Sequence, residues 1–359
     1  MIYASGHGRA TSPGPREPDH PMTHSFAPVR EWRNVDRATF REQIVPLRRP
    51  AILRGVARAW PAVQAGCRSA EALCATIAAT DVGRPVTTFL GPPQIKGRFW
   101  YQDDLRGVNY QQRLAPLREV LEVLLRAKDE PAPPSFYAGA VRMSEHCPDF
   151  ARDHVLDLPG EDAVARLWIG NRATVSTHFD MSENVAVVVG GHRRFTFFPP
   201  EQVRNLYVGP FDFTFAGPPV SMVDLRDPDL ARYPRFAEAM ATAQEAELEP
   251  GDAAYIPYMW WHQVEALDAV NVLVNYWWEL HGRDWQGSPF KTLMHAIMNI
   301  RDLPEREREV WRAWFDHYVF GAGHDAVAHL PPTARGALGE MTPDMAAKVK
   351  LFLMDEWRR

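Results

Sequence analysis

The sequence predicts a mainly β fold, a barrel with flanking helices, and three observations carry that expectation. Between Ala163 and Trp278, short runs rich in Val, Ile, Phe, Tyr and Trp alternate with Gly, Pro, Asn and Asp turns, as in successive strands. On either side, apolar residues recur at helical spacing in Leu117 to Ala127, Phe290 to Ile300 and Glu305 to Tyr318. Finally, a His-x-Asp triplet at 178–180 and a lone histidine at 262 both fall at strand ends, and the interval between them leaves room for the intervening strands of a barrel.

Composition narrows the class. A chain of 359 residues, 46% hydrophobic and 24% charged, suits one large domain with appendages or two domains. A net charge of −5 supplies no general basic field, so non-specific nucleic-acid binding is disfavoured, although Arg48-Arg49 and Arg193-Arg194 are local patches and a specific RNA substrate stays open. No apolar run reaches membrane-spanning length, and residues 1–24 lack the apolar core of a signal peptide. Three cysteines without a CxxC pair suit a reducing compartment, so the cytoplasm is expected.

In chain order, residues 1–24 read as a disordered tail, with Met1 or Met22 as the start. Residues 25–160 read as a helical and strand segment packing on the barrel. Asp36 caps a short helix to Ile44, and Pro50 to Arg54 is a strand followed by the turn Val56 to Trp60. Ser69 to Ala79 has helical spacing, Asp81 to Leu90 is β-like, and Phe99-Trp-Tyr101 is strand or core. Leu117 to Ala127 is a helix ended by Pro131-Ala-Pro-Pro134, and Phe136 to Gly139 is a strand bearing Tyr137.

Residues 161–280 form the expected barrel core. Ala163 to Ile169 is its first strand and Thr174 to His178 its second, where alternation puts Thr174, Ser176 and His178 on one face. Asn184 to Val189 and Arg193 to Phe198 are expected to pair as a hairpin around Gly190-Gly-His192. Arg194 then points opposite to Arg193, and His192 sits in the turn without a role. Glu201 to Thr214 is a loop, Phe236 to Glu245 a short helix, and Pro250-Gly-Asp252 a turn in which Asp252 is a turn residue rather than a ligand. Ala253 to Ile256 is a strand, His262 opens the next, and Val270 to Trp278 closes the barrel. Residues 281–359 are helical, ending in Pro343 to Trp357.

Strand alternation projects His178 and Asp180 to the same side, close enough to grip one ion. A neutral imidazole and a carboxylate are donors that divalent iron prefers, and His262 would complete the facial triad of a non-haem Fe(II) oxygenase.

Several segments together resemble the cupin-like JmjC family of Fe(II)- and 2-oxoglutarate-dependent oxygenases, which includes the asparaginyl hydroxylase of hypoxia-inducible factor. They are Leu167-Trp-Ile-Gly170, His178-Phe-Asp180 with Asn184, Phe197-Phe-Pro-Pro200, Gly251-Asp-Ala-Ala-Tyr-Ile-Pro257, Trp260-Trp-His262 and Asn275-Tyr-Trp277. The resemblance implies a double-stranded β-helix, a jelly-roll or cupin barrel of the JmjC type, with C-terminal helices. It implies Fe(II) held by His178, Asp180 and His262, with 2-oxoglutarate as cosubstrate and O2 as oxidant. The reaction it implies is hydroxylation of an unactivated C–H bond, with a polypeptide favoured as substrate.

The resemblance also implies a cosubstrate environment of Arg193, at the family's lysine position, with Asn184, Asn275, Trp277 and Tyr137. A guanidinium can replace the ammonium because it binds a carboxylate bidentately and stays charged when buried. The chain departs from the pattern at Val175, where the family carries a hydroxyl; either the register differs, or Thr174, Ser176 or Thr177 substitutes. The helices within 290–320 correspond to those used for homodimerisation. A JmjC-type demethylase, an RNA or small-molecule hydroxylase, and a non-catalytic cupin peptide-binding module remain the alternatives.

Overall fold

A computed structural model of the chain describes residues 26–160, 162–214, 217–279, 287–321 and 326–356. The expected tail at 1–24 and Trp357 lie outside these. The chain divides into two compact units, residues 1–279 and 280–359.

Within the first unit the strands, in chain order, are β1 (Ala27–Pro28), β2 (Glu31–Arg33), β3 (Ala51–Arg54), β4 (Pro85–Gly91), β5 (Gln111–Pro116), β6 (Ser135–Arg142), β7 (Val164–Gly170), β8 (Ala173–Phe179), β9 (Glu183–Gly190), β10 (Arg193–Phe198), β11 (Gln244–Leu248), β12 (Ala253–Ile256), β13 (Trp261–Ala266) and β14 (Asn271–Trp278). They form a five-stranded sheet ordered β1-β11-β10-β13-β8 and a nine-stranded sheet ordered β2-β3-β12-β9-β14-β7-β6-β4-β5. The chain crosses between the sheets repeatedly from β7 to β14, and residues of both sheets share one apolar interior, as in a jelly roll.

Side-chain parity shows how that interior is built. On β9, Ala186 and Val188 face the interior, while Val185, Val187 and Val189 face a second core beneath the helices. On β14, Leu273 points inward, while Val272, Val274 and Tyr276 point to the helices. On β10, Phe195 and Phe197 point inward. The nine-stranded sheet is therefore apolar on both faces, and β9 is buried along its whole length. The helix Leu117–Ala127 presents Leu117, Val120, Leu121 and Leu124 to the second core at i, i+3, i+4 and i+7. Pro61–Arg68 and Ala70–Ala78 pack beside it, the latter capped by Ser69, whose hydroxyl accepts from the Ala72 amide at 3.1 Å.

Two sequence expectations require correction. Residues 184–189 and 193–198 are strands but not a hairpin: β9 pairs with β12 and β14, whereas β10 pairs with β11 and β13. The Gly190-Gly-His192 turn carries the chain from one sheet to the other, with Gly191 at φ 72° against the Asn271 side chain, where a Cβ would collide. A glycine turn between two β runs signals reversal, but whether the runs pair depends on long-range partners that local spacing does not encode. The helix expected over 236–245 stops at Ala241, and Gln244–Leu248 is a strand, because Ala246 and Leu248 pack into the shared interior. Of the two alternatives for residues 99–101, strand or core, the core holds: Phe99 and Tyr101 are buried outside any extended strand.

The turn before β12 is pinned by Asp252. Its buried carboxylate forms a 2.6 Å ion pair with Arg54 and accepts from the amides of Gly55 at 2.8 Å and Glu249 at 3.2 Å. This ties the β3 edge to the approach of the second ligand segment.

In the second unit, Pro289–Ile300, Glu305–Phe315 and Pro343–Glu356 are helices, and a π-helical turn, Asp316–Phe320, extends the second. Trp311, Trp314 and Tyr318 form a chain of ring contacts at 6.1 and 5.5 Å, and all three are exposed. No helix among the described residues is long and apolar enough to cross a membrane. Asp252→Ala is expected to destabilise the first unit by about 3 kcal/mol, the scale of lost hydrogen bonds to a buried charge, read as a lower midpoint in urea with an unchanged m-value.

Candidate metal centre and cofactor cavity

β8 and β13 are adjacent antiparallel strands, and their register sets His178 directly opposite His262. One donor atom each from His178, Asp180 and His262 fits within a cluster no wider than 4.8 Å. His262 Nε2 lies 3.7 Å from Asp180 Oδ2, and the imidazole centroids are 4.3 Å apart.

Each histidine is turned by its own strand. His178 Nδ1 lies 2.8 Å from the Ser176 carbonyl, and His262 Nδ1 lies 3.0 Å from the Trp260 carbonyl. A carbonyl can only accept, so both Nδ1 atoms carry the proton and both Nε2 lone pairs are free for a metal. Burial, reinforced by His178, pushes His262 down to about 4, so this imidazole is neutral at physiological pH.

The carboxylate is oriented by a chain of amides. Asn184 Nδ2 donates to Asp180 Oδ2 at 3.0 Å, and Asn275 Nδ2 donates to Asn184 Oδ1 at 2.6 Å. The backbone also joins the two ligand segments. Met259 sits at φ 65°, a strained conformation for a side chain of its size, and its amide donates to the Asp180 carbonyl at 3.0 Å.

The cluster opens into a cavity of about 280 Å³ between the sheets. At the level of the β10 start, Arg193 points inward with Phe195 and Phe197 and is 3% exposed. No carboxylate pairs with it among the described residues, and its Nε is a buried donor without an acceptor. Burial pushes it down to about 10, with Tyr137 pulling the other way, so it remains cationic at neutral pH. Burial likewise raises Tyr137, whose phenol stays protonated.

Arg193, Tyr137, Asn275, Thr174 and Trp277 thus share one cavity with the three donors. Two residues expected there are placed otherwise. Asn184 is fully buried and does not line the cavity, because its amide is taken up by Asp180 and Asn275. Ser176 is displaced by a β-bulge: Val175 opposes Val264 while His178 opposes His262, so β8 carries one extra residue across that interval. The extra residue reverses parity, so Val175 takes the cavity-facing place and Ser176 contributes only its carbonyl. Thr177 turns to Gln263, with its Oγ1 3.4 Å from Oε1. The family's hydroxyl position is therefore occupied by an apolar wall.

The sequence reading missed the aromatic rim. Phe89, Phe99 and Trp168 surround Tyr137 at 5.9 to 6.0 Å between ring centroids. Trp168 was legible by parity, since it alternates with the core residues Leu167 and Ile169; Phe89 and Phe99 arrive through long-range pairing. The remaining arginine and histidine of this segment have outer roles. Arg194 binds Glu247 on the outer face of the five-stranded sheet, and His192 Nδ1 lies 2.8 Å from Asp268.

A jelly roll with two imidazoles and one carboxylate at its mouth defines the cupin-type oxygenase scaffold. Residues 37–284 match the cupin-like domain family, and the chain belongs to it, within the JmjC group of Fe(II)- and 2-oxoglutarate-dependent oxygenases. It is similar to the lysine-specific demethylase JMJ31 of Arabidopsis thaliana, 36% identical over 113 residues that cover 31% of this chain and 20% of that one. The bifunctional peptidase and (3S)-lysyl hydroxylase JMJD7 of Homo sapiens is 28% identical over 269 residues, 67% of this chain and 80% of that one. HSPB1-associated protein 1 of Homo sapiens is 38% identical over 127 residues, 34% of this chain and 25% of that one. The matches thus span from a fifth to four fifths of these relatives' lengths.

Asn184→Ala removes the bond that orients Asp180 without touching a donor atom. Metal affinity is expected to fall about 10- to 100-fold, as for other losses of outer partners, measured by competition titration with a chromogenic chelator.

Proposed function

We propose that this chain is an Fe(II)- and 2-oxoglutarate-dependent hydroxylase that acts on an unactivated C–H bond in a protein or peptide side chain. The observation that carries the reading is a buried, unneutralised guanidinium in the same cavity as a two-histidine, one-carboxylate donor set. Such a donor set suits ferrous iron and leaves coordination positions for other ligands. The unpartnered Arg193 calls for an anion, and a dicarboxylate that reaches from the donors to Arg193 meets both needs. Iron and the keto acid, once bound, supply the oxidising equivalents that place one oxygen atom of O2 on the substrate carbon.

The chain's own residues do the rest. His178, Asp180 and His262 hold the metal on one side, with their free lone pairs set by Ser176, Trp260 and Asn184. Arg193 anchors the distal carboxylate beside Tyr137, and Thr174 stands on the same wall. Val175, Val264 and Leu273 keep that wall apolar and limit the water around the reacting centre. Asn275 supports Asn184, and Trp277 borders the approach of the substrate.

Polypeptide is the favoured substrate class because, of the three relatives named, the lysyl hydroxylase is matched over the largest share of this chain. Demethylation is the second reading, favoured by the demethylase relative. The two share the C–H oxidation and differ in product, since an N-methyl carbon that is hydroxylated leaves as formaldehyde. The cytoplasm fits three free cysteines, two of them buried.

We also propose a homodimer through 290–320. Its support is the exposed aromatic row Trp311, Trp314 and Tyr318 on the helix Glu305–Phe315 and its π-helical extension, a surface a monomer rarely keeps. A second copy across a two-fold axis would cover it with the same surface, burying on the order of 2,000 Å².

Arg193→Met is expected to weaken 2-oxoglutarate binding by about 10²-fold, the loss of a charge-assisted pair, with metal affinity unchanged. Anaerobic titration of the iron-loaded protein, following metal-to-keto-acid absorption, measures this, and unchanged keto-acid affinity would remove Arg193 from the role. Succinate formed on adding cell extract, without formaldehyde, supports hydroxylation; formaldehyde in equal amount would favour demethylation.

For assembly, light scattering should give a dimer for the intact chain at micromolar concentration. Trp311→Glu with Trp314→Glu should give soluble monomers, and a monomeric intact chain would overturn the interface.

A further inference from the structure

A second cationic group stands beside the same cavity, and nothing in the reaction uses it. Arg166 alternates with Trp168 on β7, pointing to the cavity side, while Leu167 points to the helical core. Register places it opposite Asn275, which reaches Asp180 through Asn184; Tyr137 lies farther along the ladder, opposite Gly170. Arg166 is thus at the level of the donor cluster, while Tyr137 and Arg193 belong to the other end.

Its surroundings offer donors and almost no acceptor. A β-bulge at Gly139–Ala140 turns the Ala140 carbonyl toward Arg166, whose Nη1 donates to it at 3.2 Å. The guanidinium carbon lies 5.2 Å from the centre of the Trp277 ring, and Trp277 meets Trp168 at 5.9 Å. Arg166 Nε, Trp168 Nε1 and Trp277 Nε1 are all buried, and none has a hydrogen-bond partner among the described residues. Buried donors in folded proteins are nearly always satisfied, so three together define a place for an acceptor from outside.

The charge balance agrees. Arg142 is the direct cross-strand neighbour of Arg166, a like-charge pairing that destabilises a sheet. Glu145 pairs with Arg142 at 3.2 Å, and no carboxylate forms an ion pair with Arg166 among the described residues. Two cross-strand cations thus share one acid.

We infer that Arg166, with the indole N–H groups of Trp168 and Trp277, forms a subsite for a carboxylate of the polypeptide substrate, borne by an acidic residue next to the side chain that reacts. The inference rests on the hydroxylase reading above and adds to it the chemical class of the flanking residue. Arg193 and Arg166 then divide two carboxylates between them: one holds the cosubstrate at the far end, the other the substrate at the level of the metal. A single carboxylate accepting at Arg166 fits a side chain better than 2-oxoglutarate, whose distal end already has Arg193.

The test separates the two readings. Two fluorescein-labelled synthetic peptide pools, one rich in Asp and Glu and one with Asn and Gln at the same positions, are titrated into the manganese- and 2-oxoglutarate-loaded full chain, in which manganese replaces iron to prevent turnover. Wild type should bind the acidic pool about tenfold more tightly, the worth of one charge-assisted hydrogen-bonded pair, and the preference should shrink as salt rises. Arg166→Gln should abolish the preference and leave 2-oxoglutarate affinity unchanged; Arg142→Gln should leave most of the preference. Equal binding of the pools by wild type, or no binding of either, overturns the subsite and needs no variant to fold. A preference that survives in Arg166→Gln also overturns it, as does a loss of 2-oxoglutarate affinity there, which would assign Arg166 to the cosubstrate. Failure of the hydroxylase reading would appear instead as absent 2-oxoglutarate binding in wild type.

Discussion

Burial of one strand on both faces governs the rest of the molecule. β9 lies between the shared interior of the two sheets and the core under the helices, so every side chain on it needs a partner on its own side. Five valines and alanines meet that demand by packing. At the strand's start, Glu183 and Asn184 cannot, and each finds a polar partner instead. Glu183 accepts from the Tyr255 hydroxyl at 2.6 Å on the helical side, and Asn184 bridges Asp180 and Asn275 on the cavity side. The orientation of the carboxylate ligand is thus one solution to satisfying a buried amide.

The cavity shows the opposite condition. Arg193 is desolvated without an anion, and Arg166, Trp168 and Trp277 hold donors without acceptors. Buried charge without a partner in the protein costs free energy that a bound anion would offset, so occupancy by such a ligand is expected to raise stability. Folding tolerates that cost because the nine-stranded sheet is packed on both faces and the cavity occupies only part of the shared interior.

Much of this was legible in the residues because it depends on local period. Alternation along Arg193 to Phe198 was enough to send Arg193 and Arg194 to opposite faces, and helical spacing in Leu117 to Ala127 gave a helix with the same bounds. His178 and His262 lie at adjoining strand ends as their flanking turns suggest. What failed was long-range. Strands 184–189 and 193–198 carry a hairpin-like turn yet join different sheets, because partner choice is made by β11 to β14. Alternation puts Ser176, and the resemblance puts Asn184, beside the cofactor, and both are moved by features that neither contains: an extra residue in a strand and a competing hydrogen bond. The aromatic rim escaped because Phe89 and Phe99 are brought to Tyr137 only by tertiary pairing.

The bulge in β8 divides that strand into two segments with independent facing. Upstream of it, Val175 belongs to the wall; downstream, His178 belongs to the donor cluster. A strand of regular pleat would lock these two choices together, since any change of register at one end rotates the other. Here the discontinuity insulates them, so the chemistry of the wall can be exchanged over evolutionary time without turning the imidazole. A substitution at position 175 is a change that the metal side does not register.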